Sequence, residues 1–401
     1  MPLYWIWLAN LKGLSIYKKR QLLERFPDAE DLWKADLTQF PEEIAKALEN
    51  RDLSEALEIY RQCTLRGIGV MGYGDEEYPD RLRSLEDAPV ALYYIGKLPR
   101  WQSQPVIGVV GTRKASTYGL NTTELLAGQI AVCGGLVVSG AATGVDRRAM
   151  EAALAQGKPV VGVLGGGVDV IYPMANRELY EQTEKKGCLI SEYPPGSRPF
   201  PGNFLQRNRI ISGISDGVLI VEAPEKSGAL NTAQHALSQG RDVYVVPGNL
   251  GVASCVGSNR LLQEGAYPVL SGWDVVKQYQ NLYPDAVENR REPLQSIPEA
   301  ALPQVAERAE QPEKRQQKRK PAAQIPIDNS QESTYSVINK RPEGLSTSEQ
   351  TVWNLLSDKP EWIDSLMDRT DLPAATVQTA LTRLTIKGLA VQHPDGRVSR
   401  K

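Results

Sequence analysis

Hydrophobic positions follow two different periods along this 401-residue chain. Over residues 1–66 apolar side chains such as Leu22, Leu23 and Phe26 recur at helical spacing, which predicts a domain of short helices. Within it, the run LKGLS resembles a helix-hairpin-helix or sterile-alpha-motif bundle. The first 60 residues carry more acidic than basic side chains, which favours a structural or protein-contact role for this domain.

From residue 67 the pattern changes to short runs rich in Val and Ile that alternate with helical segments. The runs are 106–110, 136–139, 159–164, 188–192, 217–223 and 242–247. Strands that are apolar on both faces and separated by helices are typical of a parallel sheet covered on both sides. Residues 67–284 are therefore predicted to form an α/β domain with an extended Rossmann-like, doubly wound and mostly parallel sheet.

Two further regions follow the α/β pattern. Residues 285–342 are rich in Pro, Gln and charged side chains and lack apolar content, which predicts a disordered linker. Residues 343–401 contain three helical patterns and two strand-like runs around a Pro-Asp-Gly turn, which predicts a winged-helix domain. Its expected recognition helix carries only Arg383 and Lys387, so we expect a protein-contact or regulatory role rather than duplex recognition.

Composition narrows the function classes. The net charge is −2, so a site for a polyanion has to be a local patch. The four cysteines are widely spaced without a CxxC pair, which argues against disulfides or a zinc site and favours a reducing, cytoplasmic compartment. No apolar run approaches the length of a membrane span. We expect neither a metal, a cofactor nor a membrane partner.

Glycine-rich loops follow three of the predicted strands. They are Gly111-Thr112-Arg113, Ser139-Gly140-Ala141-Ala142-Thr143-Gly144 and Gly165-Gly166-Gly167. Glycine lets backbone N–H groups approach an anion, a following helix N-terminus adds partial positive charge, and Arg113 adds a planar cation. The carboxyl ends of parallel strands meet at one sheet edge. Three such loops predict a phosphate-binding rim, whereas one alone would more simply reflect close strand–helix packing.

The segment PFPGNFLQRNRII places an aromatic and two arginines at the start of a predicted helix. Phe204 suits base stacking, Arg207 and Arg209 suit phosphates, and Asn208 suits a base edge or a sugar. An equally open interpretation puts Phe204 in the core and the arginines in internal ion pairs. Further along, Lys226-Ser227-Gly228 opens another helix at the same edge and adds a second N-terminus suited to phosphate.

Several long motifs occur in order: GVVGTRKASTYG, VVSGAATGVDRRAMEAAL, GVLGGGVDVIYPMAN, FLQRNRIISGISDGVLIVEAPEKSGALNTAQHALSQG and GSNRLLQEGA. Over residues 67–280 they resemble the DNA-processing protein A family (DprA, also called Smf), and the helical N-terminal region and winged-helix tail fit the layout of that family. The resemblance implies a dimer without enzymatic activity that binds single-stranded DNA and loads the RecA recombinase in natural transformation.

The resemblance also assigns roles by motif. The implied DNA-binding residues are Gly111, Thr112, Arg113, Ser139, Gly140, Ala142, Phe204, Arg207, Asn208, Arg209, Lys226, Ser227 and Gly228. The implied dimer contact includes Asn259 and Leu262. Some members of the family carry a lysine three residues before the phenylalanine, where this chain has Pro201. The loss of that charge predicts weaker DNA binding unless Arg198 replaces it.

The competing function class is an enzyme, either a Rossmann-like nucleotide-binding hydrolase or a metal-dependent nuclease. Five carboxylates lie near strand ends: Asp146, Asp169, Glu192, Asp216 and Glu222. A pair of them would suit Mg²⁺, but they have no recognisable ligand spacing, which favours capping and ion-pair roles. The chain is similar in pattern to nucleotide-cleaving phosphoribohydrolases, yet Lys226–Thr232 lacks the glutamate of their motif.

Overall fold

The structure is a computed structural model and describes residues 1–288, 345–357, 361–362, 369–370, 372, 374–387, 389–393 and 397–400. The chain divides into two compact units, Met1–Gln311 and Pro312–Lys401. Most of the predicted linker lies outside the described residues, and so does most of the predicted second helix of the winged-helix domain. All four cysteines are buried and none is bonded in a disulfide.

The first 65 residues form the predicted short helices. These are α1 (Pro2–Asn10), α2 (Ile16–Arg25), α3 (Ala29–Lys34), α4 (Glu42–Leu48) and α5 (Ser54–Leu65), with a 3-10 turn at Leu37–Gln39. Ser15 and Asp28 cap α2 and α3 by accepting backbone N–H bonds. Trp5 packs so closely over Gly72 that a side chain there would collide with the indole ring. The helices therefore share one hydrophobic core with the sheet that follows.

A nine-stranded sheet forms the centre of the first unit. Its strands are β1 (Gly69–Gly72), β2 (Ala91–Gly96), β3 (Val106–Val110), β4 (Leu136–Ser139), β5 (Val160–Leu164), β6 (Cys188–Ser191), β7 (Gly217–Ile220), β8 (Asp242–Val245) and β9 (Tyr267–Pro268). Their spatial order is β1-β2-β6-β5-β4-β3-β7-β8-β9. From β6 to β9 along this spatial order, all neighbouring strands pair in parallel. Strand β2 pairs antiparallel with both β1 and β6. The prediction of a mostly parallel, Rossmann-like sheet is confirmed.

Helices connect these strands and cover the sheet. They are α6 (Asp80–Arg83), α7 (Thr117–Val132), α8 (Val145–Ala155), α9 (Arg177–Lys186), α10 (Pro201–Ile214), α11 (Gly228–Ser238), α12 (Val256–Gln263) and α13 (Gly272–Val276). Short 3-10 turns occur at Met174–Asn176, Ala253–Cys255 and Lys277–Tyr279. Strands β3 to β7 are buried along their whole length, as expected for strands packed on both faces. In the part of the chain that the structure describes, no helix combines the length and apolar character needed to cross a membrane.

The direction of winding reverses between β3 and β7. The chain moves outward from β3 through β4, β5 and β6, and then returns to build β7, β8 and β9 on the other side of β3. In open parallel sheets such a reversal leaves a crevice at the carboxyl edge, because the flanking helices diverge there. The glycine-rich loop after β3 and the segment before α11 both lie at this edge.

Two points concern the C-terminal part of the chain. Ordered packing continues past the predicted end of the α/β domain at residue 284, since Val287 is buried and the Glu288 N–H donates to the Cys133 carbonyl at 3.3 Å.

The second unit contains α14 (Thr347–Leu355), α15 (Ala374–Ile386) and an antiparallel sheet of β10 (Glu361–Trp362), β12 (Arg397–Arg400) and β11 (Ala390–Gln392). Helices packed with a small antiparallel sheet match the predicted winged-helix domain.

Candidate functional site

A cleft of about 610 Å³ opens at the carboxyl edge of the sheet, where the winding reverses. It is bounded by the loops after β3, β4 and β7 and by the first turns of α10 and α11. Most of the predicted DNA-binding residues line it: Gly111, Thr112, Arg113, Ala142, Phe204, Arg207, Asn208, Lys226, Ser227 and Gly228. The tertiary structure thus brings these residues from four separate sequence segments to one surface. We call this surface the main cleft.

An aromatic pair and an exposed cation form one wall of the main cleft. The rings of Phe204 and Tyr172 lie 5.6 Å apart between centroids with an interplanar angle of 34°. The Arg113 guanidinium carbon lies 5.2 Å from the centre of the Phe204 ring. Arg113 is exposed and forms no ion pair with a carboxylate among the described residues. The wall therefore offers aromatic faces for stacking beside a positive charge that can meet an anion.

Arg207 lies beneath the main cleft and is 4% exposed. Its Nη1 donates to the Gly140 carbonyl at 2.7 Å and also to the Val163 carbonyl. Burial lowers the pKa of Arg207, and the nearby Asp146 carboxylate opposes that shift. A side chain at position 140 would collide with the guanidinium, so glycine is needed there for close approach. Arg207 is thus a positive charge held in place by the carboxyl ends of β4 and β5.

Among the residues that the structure describes, Asp146 is the one acidic side chain that lines the main cleft. Its carboxylate accepts the Gly140 N–H at 3.1 Å and is buried in the first turn of α8. Burial raises the pKa of Asp146, while Arg207 and backbone N–H groups partly offset the shift. The carboxylate therefore organises the loop after β4 and balances part of the Arg207 charge.

Three predicted residues do not line the main cleft. Ser139 is buried, and its hydroxyl donates to the Val109 carbonyl at 2.6 Å, joining β4 to β3. Gly140 contributes indirectly, because its carbonyl accepts a hydrogen bond from Arg207. Arg209 is buried in an ion pair with Glu192 at 2.6 Å and with Asp87 at 3.5 Å. Burial alone would lower the pKa of Arg209, but the two carboxylates outweigh it and raise the pKa. Internal ion pairing, one of the two interpretations of this segment, describes Arg209.

Asn208 connects the two helices that border the main cleft. Its amide donates to the Gly228 carbonyl and to the Asn231 side chain, both at 3.1 Å. Ser227 caps α11 by accepting the Ala229 N–H at 3.2 Å. These bonds hold the N-terminus of α11 at the cleft, with the exposed Lys226 next to it.

Several lining residues were not anticipated from the sequence, chiefly Tyr172, Lys114 and Leu205. Tyr172 is 47% exposed although it is a large aromatic residue, and it lies on the loop that follows the three-glycine run after β5. The signal in the sequence that could have identified Tyr172 was an aromatic residue in a loop at the carboxyl edge of the sheet. Pro201 lines the cleft as the first residue of α10, whereas Arg198 is not among the lining residues.

The carboxylates considered for metal-dependent catalysis are dispersed. Asp169 pairs with Arg66, and Glu192 pairs with Arg209. Asp216 pairs with Arg81 at 2.7 Å, and Glu222 accepts bonds from the Ser116 N–H and hydroxyl at 2.9 and 2.6 Å. No group of three potential metal ligands occurs among the residues with described positions. The four carboxylates other than Asp146 thus have structural partners outside the main cleft.

The predicted dimer contact lies on α12, near the edge strand β9. The Asn259 side chain accepts the Gly248 N–H at 3.0 Å and donates to the Gly248 carbonyl at 3.1 Å. Leu262 is half-buried against the core. Large apolar side chains are exposed around this helix, among them Leu250 at 91% and Leu270 at 80%. Asn259 therefore shapes the loop that presents Leu250, and the surrounding surface is unusually apolar.

Comparison with known proteins gives a consistent family assignment. Residues 69–280 match the family described as DNA recombination-mediator protein A, and residues 339–396 match the DprA winged helix domain. Protein Smf of Synechocystis sp. is 31% identical over 408 residues, covering 99% of this chain and 98% of that protein. The DNA processing protein DprA of Streptococcus pneumoniae is 39% identical over 211 residues, covering 51% of this chain and 72% of that protein. The X-ray structure of DprA from S. pneumoniae superposes with a TM-score of 0.58 at 33% identity, covering 69% of this chain and 97% of that structure. The chain therefore belongs to the DprA/Smf family of DNA recombination-mediator proteins.

Proposed function

We propose that this protein binds single-stranded DNA in the main cleft and performs no chemistry on it. The observation that carries the proposal is the wall formed by Arg113, Phe204 and Tyr172 above the buried charge of Arg207. Stacking on aromatic rings requires bases whose faces are accessible, and these occur in single strands rather than in duplex DNA. Arg113, Lys226 and the N-terminus of α11 are suited to the phosphates between such bases.

The proposal is tested by measuring binding of oligonucleotides of equal length in single-stranded and duplex form over a series of salt concentrations. We expect tighter binding of the single strand and an affinity that falls with salt by a slope of about 0.7 per phosphate contact. Equal affinity for both forms would contradict the proposal, because it would mean that the aromatic wall contributes nothing.

In the cell, we propose that the bound strand is incoming DNA, which the protein protects and onto which it loads the RecA recombinase in natural transformation and recombination. Membership of a DNA recombination-mediator family supports this role, and the buried cysteines agree with a cytoplasmic location. The test is RecA filament formation on single-stranded DNA coated with a single-strand-binding protein. The protein should shorten the lag before filament growth, and an unchanged lag would refute the loading role.

We further propose a homodimer that forms through α12 and the edge strand β9. The exposed apolar side chains Leu250, Val252 and Leu270 support this assignment, since patches of this kind commonly mark interfaces. Leu270→Glu should convert a dimer into a monomer in light-scattering measurements, because a charge would then be buried without a partner. A parent protein that is monomeric at micromolar concentration would refute the dimer.

The enzymatic alternative makes a different prediction for the main cleft. If Asp146 held a metal ion for a nuclease or hydrolase, Mg²⁺ would cause the protein to cleave bound DNA or a nucleotide, and Asp146→Asn would abolish cleavage. We expect intact DNA and nucleotide after incubation with Mg²⁺, because Asp146 is engaged by the Gly140 N–H and lies near Arg207. Metal-dependent cleavage that is lost in Asp146→Asn would establish the enzyme.

A further inference from the structure

A second cleft, of about 310 Å³, lies between α7 and α8 beside the main cleft. Its lining includes Arg113, Lys114, Gly144, Arg147, Arg148 and Glu151. Arg113 and Lys114 line both clefts, so the two sites meet on either side of one short loop. We call this surface the side cleft.

The side cleft carries a strong local excess of positive charge in a protein whose overall charge is −2. Its lining contains one carboxylate, Glu151, and four cations: Arg113, Lys114, Arg147 and Arg148. A second carboxylate, Glu124, reaches Arg148 from outside the lining at 3.3 Å. Even with both carboxylates counted, two positive charges remain unbalanced. A polyanion is the ligand class that this balance favours.

The internal ion pairs of the side cleft are weak enough to be exchanged. Arg147 pairs with Glu151 at 2.6 Å, and the side chains of this pair are 37% and 33% exposed. In the pair of Arg148 with Glu124 they are 39% and 59% exposed. Exposed pairs of this kind stabilise proteins by about 0–1 kcal/mol, so a phosphate can replace the carboxylate at small cost. Arg147 also donates to the Ala175 carbonyl at 3.0 Å, which leaves Arg148 as the arginine with less structural involvement.

Backbone contacts fix the position of the side cleft relative to the main cleft. The Val145 N–H donates to the Thr112 carbonyl at 3.3 Å, which joins the start of α8 to the loop that carries Arg113. Gly144 adopts φ +79°, and a side chain there would collide with the Thr112 and Arg113 carbonyls. This close approach places the N-terminus of α8, with its partial positive charge, at the side cleft.

We propose that a single strand leaving the main cleft crosses the Arg113–Lys114 loop and that its next phosphates bind in the side cleft, where Lys114 and Arg148 hold them. This inference rests on the proposed single-stranded DNA binding and extends it to a longer path. The named lining of the side cleft contains no aromatic residue, in contrast to the main cleft. The side cleft therefore binds the sugar-phosphate backbone without base stacking, and its contribution is independent of sequence.

The test compares oligothymidylates of about 6 and about 16 nucleotides, which lie within the range that single-strand-binding grooves span. In Arg148→Gln the affinity for the longer strand should fall about three- to tenfold, and its salt slope should decrease by about 0.7, the value for one lost phosphate contact. The shorter strand, which fills only the main cleft, should bind as it does to the parent protein.

Glu124→Gln provides the reciprocal variant, because it releases Arg148 from its carboxylate. It should raise the affinity for the longer strand by a similar factor, a gain that misfolding does not produce. The matched control is Arg61→Gln, which removes another surface arginine from an ion pair, with Glu58, on α5. It should leave the affinity for both strands unchanged, and thermal unfolding should verify that all three variants are folded.

The outcomes separate this inference from the proposal beneath it. If the parent protein retains both strands but Arg148→Gln and Glu124→Gln leave the affinity for the longer one unchanged, the strand does not use the side cleft. An equal loss for both lengths would also overturn the inference, since it would place Arg148 within the main site. If the parent protein binds neither strand, single-stranded DNA binding itself is refuted.

Discussion

Arg113→Ala removes an exposed guanidinium from the mouth of the main cleft and should weaken single-stranded DNA binding without unfolding the protein. A hydrogen bond to a charged group contributes about 1.5–3 kcal/mol, and the exposure of Arg113 favours the lower half of that range. A loss of about 1.5–2 kcal/mol corresponds to a decrease in affinity of roughly 10- to 30-fold. Arg113 has no carboxylate partner among the described residues, so the free energy of unfolding should change by no more than about 0.5 kcal/mol.

The assay is fluorescence anisotropy of a labelled oligothymidylate at several salt concentrations, combined with thermal unfolding of each protein. Loss of one phosphate contact should lower the salt slope by about 0.7. Arg61→Ala serves as the control because it removes an exposed arginine from α5, outside both clefts. It should reproduce the parent affinity and slope.

Two results would refute this reasoning. Parent-like binding by Arg113→Ala would remove the loop after β3 from the DNA path. A weakened affinity with an unchanged salt slope would mean that Arg113 acts only by positioning Phe204, 5.2 Å from its guanidinium carbon, and not by contacting a phosphate.

Three further predictions concern other parts of the protein. Tyr172→Ala should weaken single-stranded DNA binding by about 1–3 kcal/mol if the ring stacks on a base, with little change in thermal stability because the side chain is 47% exposed; parent-like binding would assign the stacking to Phe204 alone. Gly140→Ala should destabilise the protein by about 1–3 kcal/mol in denaturant unfolding, because the added methyl group meets the buried Arg207 guanidinium, and an unchanged midpoint would show that Arg207 can move. Burial lowers the pKa of Lys19 from 10.5 to about 8. Between pH 8 and 10.5 the unfolded chain therefore binds one proton more than the folded protein, and the free energy of unfolding should rise with pH across this window by roughly 3 kcal/mol. Lys19→Met should abolish that rise, and an identical pH profile in both proteins would contradict the prediction.

Much of the α/β architecture was predictable from local pattern. Buried parallel strands need apolar side chains on both faces, so runs such as 106–110 and 217–223 stand out in the sequence, and the strands observed are Val106–Val110 and Gly217–Ile220. Helix starts were also predictable, since Ser116 and Ser227 are typical capping residues and both cap helices in the structure. Because parallel strands end at one edge, the position of the main cleft followed from the order of the elements.

The roles of individual arginines required the tertiary structure. Arg207 and Arg209 are two residues apart on α10, and positions at that spacing point to nearly opposite sides of a helix. The sequence motif assigned both arginines to phosphate binding, and the sequence alone could not say which of them faces the cleft. Packing decided this, because Arg207 meets the carboxyl ends of β4 and β5, whereas Arg209 meets Glu192 and Asp87.

Contacts between distant segments also could not be predicted from the sequence. Tyr172 and Phe204 are separated by more than thirty residues, and only the packing of the loop after β5 against α10 places their rings together. Helices α2 and α5 have an amphipathic pattern, yet the pattern does not reveal that the apolar residues of the N-terminal helices join the core of the sheet. Hydrophobic periodicity reports which side of an element is buried; what it is buried against depends on the arrangement of the whole chain.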